Sequence, residues 1–143
     1  IMAGLTEFAN KSNLEFVYPI HPRSKQLLKE YNLNVPNQIN LIDPLAYSDF
    51  LYLVENAKII FTDSGGVQEE ACILGTPCVT LRNDTERPET LKLGCNTLAG
   101  YNPRSIVHQG LEQLKTSSVV ESPYGQGDSA ERIFESILKN CSS

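Results

Sequence analysis

KIIFTDSGGVQEEACILG, residues 58–75, decides the fold. Lys58 to Thr62 is a short, β-branched apolar run closed by a glycine pair, which predicts a buried strand. Val67 to Leu74 has helical composition and stops at Gly75, a residue suited to the left-handed turn that ends a helix. A buried strand handed directly to a helix is half of a βαβ unit. The sequence on both sides repeats the arrangement.

Upstream, Leu14 to Ile20 reads as a buried strand, Ser24 to Tyr31 as a helix and Gln38 to Ile42 as a second strand. A helix is expected from about Asp43 to Ala57, with Asp43 as N-cap, Pro44 at the first helical position, and Phe50, Leu53, Val54 and Ala57 at i, i+3, i+4, i+7 spacing. Downstream, Cys78 to Leu81 is a strand, Pro88 to Leu93 a short helix ended by Gly94, and Asn96 to Ala99 a fifth strand. Strand starts recur roughly every 19 residues, the length of one strand plus one crossover helix. The rest reads as helix: Asn102-Pro103 caps a segment carrying Ile106, Val107, Leu111 and Leu114, and Asp128-x-x-Glu131 forms a capping box before Ile133, Phe134, Ile137 and Leu138. Alternation with near-continuous apolar strands predicts a doubly wound α/β domain with a parallel sheet.

Composition sets the outer limits. The 143 residues include 12 Lys and Arg against 17 Asp and Glu, a formal charge of −5, with 41% hydrophobic residues. That suits a single domain, expected to bury roughly 70% of its unfolded surface without a metal or disulfide staple. The acidic balance argues against nucleic acid as partner, and no apolar run is long enough to span a membrane. Cys72, Cys78, Cys95 and Cys141 form no C-x-x-C pair or Cys/His cluster, so reduced cytosolic thiols are expected. The chain opens at Ile1-Met2 inside what reads as a helix, and it is expected to be a fragment of a larger protein.

In a doubly wound sheet, ligands bind at the carboxyl ends of the strands. Three polar segments fall there: His21-Pro22-Arg23, Asp63 to Gly66, and Arg82 to Arg87. At Ser64-Gly65-Gly66 the bare backbone can turn consecutive N–H groups toward an anion on the positive end of a helix, with Ser64 adding a hydroxyl. The same residues are equally consistent with a tight strand-to-helix turn. Neither a P-loop nor a G-x-G-x-x-G or G-x-S-x-G motif is present. Glu69 and Glu70 are expected in the first helical turn, where the helix dipole favours them; with a phosphate in the turn, Glu70 can accept hydrogen bonds from ribose hydroxyls. Arg82 to Glu89 carries five charges in eight residues, and Arg87 can meet a diphosphate with its planar fork, although such a run is ordinarily a solvated loop. His21 reads as a packed turn residue, and His108 as a surface position on a helix. No acid/base pair can be assembled, so the residues describe a binder of an anionic ligand.

FTDSGGVQEEACILGTPCVTLRNDTERPET (Phe61 to Thr90) resembles the C-terminal domain of UDP-N-acetylglucosamine 2-epimerases, two-domain enzymes of the glycosyltransferase-B architecture. Tyr18-Pro19-Ile20-His21, Asp43-Pro44-Leu45-x-Tyr47-x-x-Phe50 and Ser122 to Gly127 before Arg132-Ile133 extend the resemblance over roughly Leu14 to Leu138. It implies a Rossmann-like, UDP-binding C-terminal domain over residues 1–143, in enzymes that invert C2 of UDP-N-acetylglucosamine by expelling UDP and adding it back. By the same resemblance, Ser64, Gly65 and Gly66 hold the diphosphate, Glu70 the ribose, and Arg87 the phosphate or its loop. Phe50 packs near the uracil, and His21 matches a histidine that some bacterial members use near a second, activating substrate molecule.

The family's acid/base carboxylates belong to an N-terminal domain that this sequence does not contain, so the fragment alone is expected to be inactive. Pro22-Arg23 replaces the Asn-Pro found after the histidine in many bacterial members, which leaves allosteric activation open, and Gln126 replaces a common aspartate. The implied partners are the nucleotide sugar, UDP and the protein's own N-terminal domain, with a homodimer compatible, in the cytoplasm and with no cofactor or metal. A hydrolysing or diacetamido-sugar epimerase, a glycosyltransferase half-domain and a stand-alone nucleotide-sugar binding module are the alternatives.

Overall fold

The computed structural model describes residues 1–116, 123–125 and 127–141; Ser122 and Gln126 of the motif before the last helix lie outside the described residues. Along the chain run α1 (Met2–Ser12), β1 (Phe16–Pro19), α2 (Pro22–Glu30), β2 (Ile39–Ile42), α3 (Tyr47–Asn56), β3 (Ile60–Thr62), α4 (Gly65–Leu74), β4 (Cys78–Thr80), α5 (Pro88–Lys92), β5 (Asn96–Leu98), α6 (Pro103–Gln113) and α7 (Ser129–Cys141). All strand pairs are parallel. Phe16 stands opposite Ile39 in β1–β2, Ile60 opposite Cys78 in β3–β4, and Cys78 opposite Asn96 in β4–β5.

Where the pattern predicts one sheet, the strands form two hydrogen-bonded ladders, β1-β2 and β3-β4-β5. Side chains join them: Phe8 of α1 packs edge-on against Phe16 of β1 and Phe61 of β3, at centroid distances of 5.8 and 4.9 Å, and Phe16 lies 5.5 Å from Phe61. Three rings thus fill the seam. The Phe16–Phe61 contact brings β1 of one ladder next to β3 of the other, and an open α/β sheet forms its ligand crevice where the order of strands reverses.

Residue parity divides the core. Val79 and Leu81, with Ile59 and Phe61, face Leu5 of α1 and Ile106 of α6. Cys78 and Ile60 point the other way, to Phe50 and Val54 of α3 and Ala71 and Leu74 of α4. Period-two alternation in the β3-β4-β5 ladder therefore buries both faces under helices, as in a doubly wound arrangement, whereas β1, expected to be buried, leaves Val17 and Tyr18 exposed. The apolar positions Ile133, Phe134 and Ile137 of α7 remain more than half exposed, at 61%, 62% and 54%.

Helix α3 departs from expectation. It begins at Tyr47 with Ala46 as N-cap, and Asp43-Pro44 lie in the preceding loop. The carbonyl of Ile42 still accepts the Ile20 N–H at 3.1 Å, so the chain is held extended one residue before Asp43 and cannot coil there. Asp43 instead pairs with Lys25 at 3.3 Å on the exposed surface. Asn102 does cap α6, accepting from the N–H groups of Arg104 and Ser105.

The helices α1 and α6 cross closely because α6 carries Gly110: a Cβ there would stand 2.7 Å from the Phe8 ring and 2.8 Å from Phe61. We expect Gly110→Ala in the intact protein to lose about 1–3 kcal/mol, since overpacking against rigid rings outweighs the helix propensity gained; denaturant unfolding measures it.

Cys72, Cys78 and Cys95 are buried free thiols. Burial is the main cause that pushes Cys78 from 9.0 up to about 12, and it raises Cys95 as well. Thiols held neutral in the fold but free to ionise when unfolded make the unfolded state release protons first. Stability should therefore be insensitive to these groups below about pH 9 and fall as pH rises from there toward 12; urea unfolding at a series of alkaline pH values gives the slope, which Cys78→Ala should reduce.

Candidate functional site

Two adjoining features occupy the carboxyl ends of β1, β3 and β4. The first is the start of α4. Ser64 is its N-cap in an extended conformation (φ −88°, ψ 127°) and makes no side-chain cap hydrogen bond. The Ser64 carbonyl accepts the Gln68 N–H at 3.2 Å, the first bond of the helix. The N–H groups of Gly65, Gly66 and Val67 precede that bond, so they sit at the positive end of the helix without an intrahelical partner. Ser64 Oγ lies 3.9 Å from where a Cβ on Gly66 would stand, and on Gly65 the same point lies 3.5 Å from Glu86 Oε2 and 4.0 Å from the Arg87 guanidinium. Ser64, Gly65, Gly66 and Arg87, 23 residues apart at the extremes, are thereby brought together.

Helix α4 includes both glycines, so its first turn holds no acidic residue. The expected placement of Glu69 and Glu70 in that turn is corrected by one turn: because glycine tolerates helical backbone without needing a turn of its own, coiling starts directly after Ser64. The two carboxylates find specific partners. Glu69 forms an ion pair with Nε of Arg87, both side chains one-third exposed. Glu70 is the neighbour that raises the Tyr47 pKa, first through hydrogen bonding toward the hydroxyl and second through its charge.

The charged loop is ordered by its own members. Arg82 holds Glu86 at 3.2 Å and Asp84 at 3.4 Å, and Arg87 Nη1 donates to the Glu86 carbonyl at 3.2 Å. Beyond it, Tyr124 donates to Glu89 at 2.9 Å. The Glu89 pKa is lowered first by its own backbone N–H and second by that hydroxyl.

The second feature is an open cleft of about 320 Å³ lined by Pro19, His21, Pro44, Leu45, Tyr47 and Phe50. His21 is at once the N-cap of α2 and part of this wall: its Nδ1 accepts from the Arg23 N–H at 3.2 Å, which leaves Nε2 to carry the proton of the neutral ring. Tyr47, lining the cleft and neighbouring Glu70 of α4, connects the two features. Its place in Asp43-Pro44-Leu45-x-Tyr47-x-x-Phe50 was the only sequence signal for it. His108 lies on the exposed side of α6. Among the described residues, no His, Cys, Asp and Glu cluster is arranged to hold a metal, and no helix is long and apolar enough to cross a membrane.

Behind the α4 terminus lies a buried polar network that the pattern of residues did not disclose. Gln68 and Thr80 are fully buried and Asn96 nearly so. Thr80 donates to Asn96 Oδ1 at 2.8 Å, Asn96 Nδ2 donates to Gln68 Oε1 at 3.2 Å and to Thr90 Oγ1 at 3.0 Å, and Thr85 donates to Gln68 Oε1 at 2.5 Å. These bonds join α4, β4, β5, α5 and the charged loop.

The family model described as UDP-N-acetylglucosamine 2-epimerase matches residues 1–138. The chain belongs to the UDP-N-acetylglucosamine 2-epimerase family. It is 44% identical to the UDP-N-acetylglucosamine 2-epimerase of Methanocaldococcus jannaschii, covering 93% of this chain and 37% of the relative, and 38% identical to that of Escherichia coli O157:H7, covering 90% and 36%. The crystal structure of the Methanocaldococcus jannaschii epimerase in complex with UDP-GlcNAc and UDP superposes with a TM-score of 0.87 at 42% identity, over 95% of this chain and 39% of that one. The Neisseria meningitidis epimerase bound to UDP-GlcNAc gives 0.77 at 34% identity, over 96% and 40%. The chain thus spans less than half the length of the epimerases it matches, and its α/β fold with parallel strands corresponds to part of their glycosyltransferase-B-like structures.

Truncating Asn96 leaves the buried Thr80 hydroxyl without its acceptor, whereas Gln68 Oε1 keeps the bond from Thr85 and Thr90 Oγ1 keeps its bond to the Arg87 carbonyl. Asn96→Ala is expected to cost about 1–3 kcal/mol for the hydroxyl left without a partner, read as a lowered unfolding midpoint in urea.

Proposed function

We propose that this chain is the C-terminal, UDP-binding part of an epimerase that interconverts UDP-N-acetylglucosamine and UDP-N-acetylmannosamine. Inversion at C2 proceeds by elimination of UDP and its re-addition on the other face of the sugar. The observation that carries this reading is the placement of the Arg87 guanidinium over Gly65 at the uncapped start of α4, beside an apolar cleft at the same sheet edge.

Each part has a chemical task. Elimination leaves negative charge on the departing diphosphate, and the N–H groups of Gly65, Gly66 and Val67, the Ser64 hydroxyl and Arg87 are donors fixed in advance where that charge develops. The Arg87–Glu69 pair restrains the guanidinium, so less side-chain freedom is lost when an anion arrives. Glu70, beside Tyr47, accepts from the ribose hydroxyls. Phe50 and Leu45 offer apolar surface to the uracil, and His21 stands on the cleft wall as a contact on the phosphate or activator side.

The acid and base that act at C2 are assigned to the rest of the full-length enzyme, and the chain by itself is expected to be inactive. The enzyme works in the cytoplasm on soluble nucleotide sugar, without a cofactor.

Calorimetric titration of the full-length protein with UDP, with uridine and inorganic phosphate as controls, tests the reading. UDP should bind more tightly than either control. Arg87→Ala should weaken UDP binding about tenfold or more, whereas Arg104→Ala, at the exposed start of α6, should leave it unchanged. Equal losses would remove Arg87 from the site, and product analysis showing UDP-N-acetylmannosamine rather than the free sugar identifies epimerisation without hydrolysis.

A further inference from the structure

We infer that Gln68 is a positioning residue whose buried carboxamide oxygen sets where Arg87 stands over the start of α4, and so sets the affinity for the diphosphate of a nucleotide. The inference rests on the nucleotide-binding reading above and deepens it.

The geometry is a closed ring of hydrogen bonds around the Arg87 backbone. On one side, the Arg87 N–H donates to Thr85 Oγ1 at 3.0 Å, and Thr85 Oγ1 donates to Gln68 Oε1 at 2.5 Å. On the other, the Arg87 carbonyl accepts from Thr90 Oγ1 at 2.7 Å, Thr90 Oγ1 accepts from Asn96 Nδ2 at 3.0 Å, and Asn96 Nδ2 also donates to Gln68 Oε1 at 3.2 Å. Both backbone polar groups of Arg87 are therefore held by threonine hydroxyls, and both routes converge on one oxygen atom.

That atom is itself fixed to the anion end of the site. The Gln68 N–H makes the first bond of α4, to the Ser64 carbonyl, and its side chain is 0% exposed. The loop bearing Arg87 is thus referenced to Ser64 through a single buried residue instead of through solvent-exposed contacts.

Gln68 Nε2 is buried and has no hydrogen-bond partner among the described residues. An unpaired buried amide N–H costs stability, and the oxygen's two accepted bonds are what the residue supplies in return. Arg87's own side-chain pair with Glu69, one-third exposed on each side, restrains the guanidinium but does not place the backbone that carries it.

The test uses the full-length protein and compares UDP with uridine, which lacks the diphosphate. Gln68→Met keeps the side-chain length and removes the oxygen. Thr85→Val removes one hydroxyl from a half-buried loop position, and Thr85→Ser restores it. Gln68→Met and Thr85→Val should each weaken UDP binding about tenfold while uridine binding is unchanged. Thr85→Ser should bind UDP as the parent does, and the Gln68→Met/Thr85→Val double variant should be no weaker than Gln68→Met alone, because both act on one chain of bonds.

Parallel losses for uridine and UDP, additive losses in the double variant, or a Thr85→Ser protein as weak as Thr85→Val would overturn the positioning role. Thr85→Val decides the question even if Gln68→Met fails to fold. A parent protein that binds uridine as tightly as UDP would instead overturn the diphosphate reading on which this role depends.

Discussion

Two buried carboxamides, Gln68 and Asn96, hold together the elements around the candidate site. Each makes hydrogen bonds to elements distant in sequence: Gln68 to the loop before α5 and to β5, Asn96 to β4 and α5. An amide taken out of water without partners destabilises a fold by about 1–3 kcal/mol. The same groups, when paired, favour one arrangement of the surrounding backbone over its neighbours. A helix start, two strand ends and a charged loop are thereby set relative to one another to within the tolerance of a hydrogen bond.

The apolar core performs a different task. Its two clusters, Val79 with Ile106 on one face and Cys78 with Ala71 on the other, come from strict alternation along β4 and hold helices to both sides of the strands. The rings of Phe8, Phe16 and Phe61 then join the two ladders at the seam. Hydrophobic burial is non-directional: it brings the elements together but does not choose an orientation for a guanidinium. That choice falls to directional contacts: the Glu69 ion pair restrains the guanidinium, and the polar network holds the backbone that carries it.

Much of this was legible in the residues. Lys58 to Leu74 announced a strand and a helix, the spacing of the apolar runs announced parallel strands with crossover helices, and the polar segments fell at one edge because the carboxyl ends of parallel strands share an edge. The errors were local and have physical causes. Asp43-Pro44 has the composition of a helix start, but Ile42 remains bonded to β1, and a backbone carbonyl already engaged in a ladder outweighs a weak capping preference. Ser64-Gly65-Gly66 reads as a turn, yet the glycines are helical, which moves Glu69 opposite Arg87 and Glu70 opposite Tyr47.

The sequence by itself determined the α/β class, the order of elements, the edge at which the polar segments gather and the family to which the chain belongs, because periodicity and short motifs are properties of neighbouring residues. Only the tertiary structure decided that Arg87 lies over Gly65, that Tyr47 belongs beside Glu70, and that Gln68 and Asn96 are buried in one hydrogen-bonded ring. The two bonds that converge on Gln68 span 17 and 28 residues, and a pairing across such distances depends on how strands align and helices pack, which no local pattern records.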